Sequence, residues 1–147
     1  MKKAFITAIL TFVFSSAYTQ ERNVISFDYE YHGFNIYEDF NDVEYTLQAG
    51  KVTTSILDSN VVVVIENDFA SRVFHGKFDY VTIQDDLDDD PTYFVKQWIF
   101  TSLEEINTGI QKAQLATLLI TSEGRYVLTI THQGNSPVEV YLKQSKN

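Results

Sequence analysis

Asn60-Val61-Val62-Val63-Val64-Ile65-Glu66 is the stretch of sequence that decides the fold. β-Branched side chains are stiff at χ1 and fit a pleated surface, so this run predicts a β-strand. Successive side chains of a strand point to opposite faces, and here both faces are apolar. We therefore expect a central strand that is covered on both sides, with polar turn residues at 58–60 and 66–68.

The strand pattern recurs along the rest of the chain. Ile25, Phe27, Tyr29 and Tyr31 alternate with polar residues, and the apolar parity changes after Gly33, which predicts a bulge or tight bend at His32–Gly33. Further strands are predicted over 43–48, 52–57, 92–101, 115–121, 125–132 and 138–143, and residues 72–83 are predicted to form a long, irregular strand pair or one bent strand. Short antiparallel hairpins in chain order form a meander. The predicted fold class is therefore all-β, with the meander forming a small barrel or a two-layer sandwich.

One short helix is predicted near residues 102–114. Ser102 and Glu105 have the spacing of a capping box, in which the serine accepts hydrogen bonds from the first turn. Leu103, Ile106 and Ile110 follow at spacings of three and four, which is typical of an amphipathic helix. We expect one face of this helix to pack on the sheet.

Residues 1–19 have the pattern of a secretory signal peptide, with cleavage after Ala17 or, alternatively, after Thr19. Lys2 and Lys3 precede an apolar run over 4–14, and this run of 11 residues is shorter than the roughly 20 needed to span a bilayer. The alternative is a buried N-terminal strand or a membrane anchor. We expect residues 20–147 to form a single β-rich domain with no membrane span, secreted or periplasmic. The short basic start and the absence of cysteine favour a bacterial exported protein.

The composition limits the class of partner. Hydrophobic residues make up 44% of the chain, which is enough to fill a core without disulfides. Loss of Lys2 and Lys3 with the signal peptide leaves 9 basic residues against 20 acidic ones, so the exported chain carries a charge of about −11. A charge of this sign repels phosphate backbones, so we expect no nucleic-acid binding.

The acidic segment 85–90 is the candidate metal site. Its carboxylates are those of Asp85, Asp86, Asp88, Asp89 and Asp90, and Ca²⁺ prefers several oxygen ligands of this kind. Alignment with an EF-hand loop fails at Pro91 and Gln97, where a glycine and a glutamate are required. Aspartates two apart on an extended chain repel by only about 0.6 kcal/mol in water, so a bound ion is not required. A solvated loop that keeps the domain soluble is the other interpretation.

No catalytic constellation is visible in the sequence. His32, His75 and His132 share no metal-ligand spacing, and we interpret them as surface or strand-end residues. The chain has no cysteine and no serine in a G-x-S-x-G elbow. The aromatic side chains on the strands could form the core and its rim, or line an apolar pocket or carbohydrate platform; the tyrosines and tryptophan concerned are Tyr29, Tyr31, Tyr37, Tyr45, Tyr93, Trp98, Tyr126 and Tyr141.

These observations favour an exported, non-enzymatic β domain that binds a partner protein or a small ligand and needs no cofactor. The first alternative is a Ca²⁺-stabilised surface or adhesion module that uses the Asp85–Asp90 loop. The second is a small envelope hydrolase, which a cleft containing a histidine or a pair of carboxylates would support.

Overall fold

The computed structural model of the protein describes residues 22–35, 44–85, 94–107, 112–133 and 138–145. In these ranges every regular element is a strand, and each strand pairs antiparallel with the next. The first strand also pairs antiparallel with the last, which closes the sheet into a barrel. The strands are β1 Asn23–Asn35, β2 Glu44–Leu57, β3 Asn60–Glu66, β4 Ser71–Asp85, β5 Phe94–Glu105, β6 Lys112–Thr121, β7 Tyr126–His132 and β8 Val138–Lys143.

This architecture confirms the all-β meander and decides between the two arrangements that the sequence left open. The β1–β8 pairing runs from Tyr31 opposite Leu142 to Asn35 opposite Val138, and a two-layer sandwich would not contain it. The pairing of β1 with β8 over residues 31–35 and 138–142 protects the edges that an open sheet would leave exposed there.

The valine-rich strand β3 buries one face completely. Val61, Val63 and Ile65 point into the barrel and are almost inaccessible to solvent. Val62 and Val64 on the outer face are half-buried, so the prediction that both faces are covered is met in full on one face only. In a single closed sheet the outer side chains of a strand meet solvent unless another segment covers them.

Most of the barrel interior is filled by apolar side chains. Large members of this core include Phe74, Phe100, Leu118, Leu128 and Ile130, none of which is exposed. Aromatic and branched side chains from all parts of the barrel therefore interdigitate as in other close-packed interiors.

The helix predicted near 102–114 is wrong for the residues that the structure describes. Residues 102–105 belong to β5 and residues 112–114 to β6, while 108–111 lie outside the described ranges. Between His75 and Lys77 the β4–β5 register shifts, and Ser102 opposite this point has a φ of 53°. Such a bulge changes the inward parity of a strand, so Phe100 and Leu103 both point inward three residues apart. Ile106, the next residue of the predicted helical stripe, is 60% exposed in the turn that follows β5.

The structural irregularity of β1 lies earlier than the predicted His32–Gly33 bulge. Tyr29 pairs with Gly50 of β2, whereas Tyr31 pairs with Leu47, so the register shifts between these tyrosines.

In the described ranges, no helix is long and apolar enough to cross a membrane.

Candidate functional site

Charged side chains meet inside one end of the barrel. Arg72 on β4 donates from Nε and Nη2 to the two oxygens of Glu105 on β5, each at 3.0 Å. Its Nη1 donates to Glu139 Oε2 on β8 at 2.6 Å and to the hydroxyl of Tyr141 at 3.0 Å. The Tyr141 hydroxyl donates in turn to Glu139 Oε2 at 2.8 Å. We call the end of the barrel that carries Arg72, Glu105, His132 and Glu139 the polar end.

The electrostatics of this network keep Glu139 ionised. Burial raises the pKa of its carboxyl, but the nearby His132, the charge of Arg72 and the hydrogen bonds from Arg72 and Tyr141 outweigh burial and hold the pKa at about 2. Burial raises the pKa of Tyr141 far above its ordinary value, and the charge of Glu139 acts in the same direction. Although burial opposes the charge of Arg72, the hydrogen bond to Glu105 and the charge of Glu139 raise its pKa. Within this network Glu139 is therefore an anion, and Tyr141 is a neutral phenol.

His132, the last residue of β7, lies beside Glu139 and is almost fully buried. Its Nε2 is 3.3 Å from Glu139 Oε1, but neither ring nitrogen makes a hydrogen bond of good geometry to a described residue. The contact places the imidazole beside Oε1 of the carboxylate, whereas Arg72 contacts Oε2.

A small cavity of about 80 Å³ opens beside this network at the polar end. Its polar lining comes from Tyr29, His32, Gln48, Asn67, Arg72 and Tyr141. Ile65 and Ala70 complete its wall. A volume of this size holds a few water molecules or a group of a few non-hydrogen atoms, but not a large ligand.

His32 is held in the cavity wall by two contacts. Its ring stacks on the ring of Tyr141, with centroids 4.4 Å apart and planes 8° from parallel. Its Nδ1 is 2.9 Å from Oε1 of the Gln48 side chain. This amide oxygen can only accept a hydrogen bond, so Nδ1 carries the proton and Nε2 presents a lone pair. Burial lowers the pKa of His32 below its ordinary value, and the charge of Arg72 acts in the same direction against the effects of Gln48 and Glu139. The ring is therefore neutral at neutral pH.

Two buried polar atoms in the cavity lining have unused hydrogen-bonding capacity. The Tyr29 hydroxyl and His32 Nε2 are inaccessible to solvent and make no hydrogen bond of good geometry to a described residue, although the Asn67 side chain is close enough to the Tyr29 hydroxyl to act on its pKa. Burial raises the pKa of Tyr29, against smaller opposing effects of Asn67 and Arg72, so this hydroxyl keeps its proton. Buried polar groups in folded proteins are nearly always paired. Because neither atom has accessible surface, a ligand or a water molecule pairs with them only after the side chains of the lining shift, a change that is common on binding.

The local backbone explains why these side chains share one cavity. Because of the register shift in β1, Tyr29 and His32 line the same cavity although they are three residues apart. Opposite Tyr29 stands Gly50, where a Cβ would overlap the Tyr29 ring. In the turn between β3 and β4, Asn67 Oδ1 accepts from the backbone N–H groups of Phe69 and Ala70 at 2.9 and 2.8 Å. This Asx turn fixes the cavity rim.

One residue of the predicted calcium site is described, and it lies at the opposite end of β4 from the cavity. Asp85 is the last residue of β4, whereas the cavity-lining Arg72 stands near its start. Asp86, Asp88, Asp89 and Asp90 lie outside the described residues, and calcium binding there stays a prediction. Calorimetry with Ca²⁺ on the wild-type protein and the Asp86→Asn/Asp88→Asn variant tests it. Within the described ranges, no three acidic or histidine side chains are grouped so as to hold a metal ion.

Sequence reasoning found part of the site. Tyr29 and Tyr141, two of the predicted pocket tyrosines, do line the cavity. His75 is exposed and His132 is the last residue of β7, so both agree with the interpretation as surface or strand-end residues, although His132 is buried. His32 is half-buried in the cavity wall within β1, so the interpretation is wrong for His32. No sequence pattern marked Arg72, Gln48 or Glu139, and Glu105 was assigned to a capping box instead of a buried ion pair. The available signal was parity: Arg72 is in phase with the core residue Phe74, and Glu139 with Tyr141.

Comparison of the chain with models of protein families, with curated proteins and with solved structures gave no match. The fold and the cavity therefore define the class to which the protein is assigned: a closed, eight-stranded antiparallel barrel with a small cavity at its polar end.

Proposed function

We propose that the chain is an exported, non-enzymatic β-barrel domain that binds a small ligand in the cavity at its polar end. One observation carries the proposal: the Tyr29 hydroxyl and His32 Nε2 are buried in the cavity lining without hydrogen-bond partners among the described residues. Leaving a buried polar group unpaired costs about 1–3 kcal/mol, and a bound ligand that pairs both atoms removes this cost.

The arrangement of the charged groups supports binding rather than catalysis. Arg72 and its two carboxylate partners satisfy one another, and Glu139 is too acidic, with a pKa of about 2, to accept a proton at neutral pH. The described cavity lining contains no serine or threonine that could act as a nucleophile. The network is therefore a scaffold that orients Tyr141 and, through stacking, His32.

Export of the protein is part of the proposal and is supported by residues 1–19. The predicted signal peptide gives a mature chain that begins at Tyr18 or at Gln20. Expression of the full chain in a bacterium, followed by N-terminal sequencing of the envelope and medium fractions, tests this. Recovery of the uncleaved chain in the cytoplasm would contradict it.

Ligand binding is tested by a thermal-shift screen of small molecules, followed by nuclear magnetic resonance (NMR) titration of the hits on protein with labelled histidine. A true ligand raises the unfolding temperature and moves the ring resonances of His32 while leaving those of exposed His75 unchanged. A library that yields no compound with both effects would contradict the proposal. The variant His32→Phe serves as the control, since it keeps a ring to stack on Tyr141 but removes the acceptor.

A small envelope hydrolase is the second candidate, and the cavity provides a specific reason to test it. The neutral His32 has a lone pair on Nε2 that could accept a proton from a water molecule in the cavity. The test is a panel of ester, amide and glycoside substrates assayed with wild-type protein and with His32→Phe. Hydrolysis that depends on His32 would replace the binding proposal with an enzymatic one.

A further inference from the structure

Exposed apolar side chains adjoin the cavity. Phe34 is 41% exposed, and its ring lies 4.4 Å, centroid to centroid, from the ring of His32. Phe69 is 92% exposed and stands in the turn between β3 and β4, between the cavity-lining residues Asn67 and Ala70. Large apolar side chains this exposed beside a concave polar site indicate an interaction with an apolar group.

The hydrogen bonds at the cavity determine what the bound group must offer. His32 uses Nδ1–H on Gln48, so Nε2 requires a donor from the ligand. The hydroxyl of Tyr29 keeps its proton and can donate to an acceptor on the ligand. A group that both donates and accepts, such as a primary amide or an alcohol, matches the donor on Tyr29 and the acceptor on His32.

The charges around the cavity select against a charged group. The single positive charge of Arg72 is opposed by Glu105 and Glu139, and Glu139 Oε2 lies 3.9 Å from His32 Nε2. An anion at His32 would therefore meet a carboxylate and a lone pair. A cation would find Glu139 Oε2 already occupied by Arg72 and Tyr141. Both arrangements leave a buried charge without compensation.

We propose that the ligand is an uncharged amphiphile whose donor–acceptor head group binds between Tyr29 and His32 while its apolar part rests on Phe34 and Phe69. The cavity of about 80 Å³ accepts a head group of a few atoms and leaves the rest of the molecule outside. This inference rests on the proposed function, because it specifies the chemistry of the ligand that the same cavity binds.

Three six-carbon probes of equal length separate the possibilities: hexanamide, hexanoate and hexylammonium. NMR titration of the protein should show hexanamide binding with shifts at His32, and hexanoate and hexylammonium binding at least tenfold more weakly. Tyr29→Phe should weaken hexanamide binding about tenfold. Tyr126→Phe, on the half-buried ring that stacks on Phe27, is the matched control and should leave it unchanged. Tighter binding of either charged probe overturns the inference.

The apolar contact has its own test. Phe69→Ser changes an exposed side chain and should weaken hexanamide several-fold while leaving the short probe propanamide unaffected. An equal effect on both amides, or none on either, overturns the role given to Phe69. If a charged or sugar ligand from the general screen moves the His32 resonances while no uncharged amphiphile does, this inference fails and the proposed ligand-binding function stands.

Discussion

Arg72 on β4 and Glu139 on β8 are joined through the barrel interior by a hydrogen bond of 2.6 Å between Nη1 and Oε2. Their strands are not neighbours in the barrel, and the residues are 67 positions apart in the chain. The bond therefore spans the interior instead of following the sheet. Because Arg72 also holds Glu105 with two bonds, three strands are connected at one point.

Arg72→Met should strongly destabilise the protein. The change leaves Glu105 and Glu139 buried without a cation, and breaking a buried ion pair in this way costs about 3–5 kcal/mol. Urea denaturation measures the free energy of unfolding. Arg125→Met, at an exposed arginine, is the control and should change it by less than about 0.5 kcal/mol. Equal effects of the two variants would show that the network contributes nothing to stability.

Stability should fall in acid through Glu139. Its ordinary pKa is 4.5 and its pKa in the folded protein is about 2, so its contribution is complete above pH 4.5 and is lost as the pH falls towards 2. A difference of this size corresponds to about 3 kcal/mol. Arg72, His132 and Tyr141 face the carboxyl and set the shift. The measurement is the free energy of unfolding at successive pH values for wild-type protein and Glu139→Gln.

Glu139→Gln should be less stable than wild type at pH 7 but should lose less stability between pH 4.5 and 2. Glu66→Gln, at an exposed position, should follow the wild-type curve. If Glu139→Gln and wild type lose stability in parallel through this range, the carboxyl does not titrate as the structure implies.

The all-β architecture could be predicted because the period of two persists along most strands. The alternation of Ile25, Phe27 and Tyr29 and the valine run are purely local signals. The helix near 102–114 failed for a local reason as well. The predicted stripe begins at Leu103, which faces the core, but Ile106 is 60% exposed in the turn after β5, and the sequence does not show that the chain stays in a strand through the bulge at Ser102.

The candidate site was harder to predict because its residues are brought together by closure. Arg72, Glu105 and Glu139 come from three strands, and their charges individually indicate exposed positions. Only the register of the closed barrel places these three residues at the same height along the barrel axis. A charged residue on a strand faces either solvent or the barrel interior. Which of the two it faces depends on the alternation of side chains along the strand, and bulges such as those in the β4–β5 pair change this alternation. The sequence does not reveal where the bulges lie.

Gly50→Ala should destabilise the barrel because a Cβ there would overlap the Tyr29 ring and the carbonyl oxygen of Glu66. Overpacking of this kind costs about 1–3 kcal/mol. In a Tyr29→Leu background the same change should cost at least about 0.5 kcal/mol less, because part of the overlap disappears. A double-mutant cycle by urea denaturation measures this coupling, and a coupling of zero would mean that Tyr29 does not cover Gly50.

Tyr29→Phe and Tyr141→Phe form a matched pair that separates binding from stability. The Tyr141 hydroxyl accepts from Arg72 and donates to Glu139, so its removal should cost about 1–3 kcal/mol of unfolding free energy. The Tyr29 hydroxyl is buried and has no such partner among the described residues, so its removal should leave stability unchanged or raise it by up to about 1 kcal/mol.

The same hydroxyl of Tyr29 is expected to bind the ligand, so Tyr29→Phe should keep the fold and lose affinity. A residue that reduces stability and increases binding is typical of a functional site. Thermal unfolding without ligand, compared with titration of a hit from the screen, measures both quantities on the same samples. If Tyr29→Phe destabilises the ligand-free protein as much as Tyr141→Phe does, the hydroxyl has a structural partner and the argument for a ligand at this position fails.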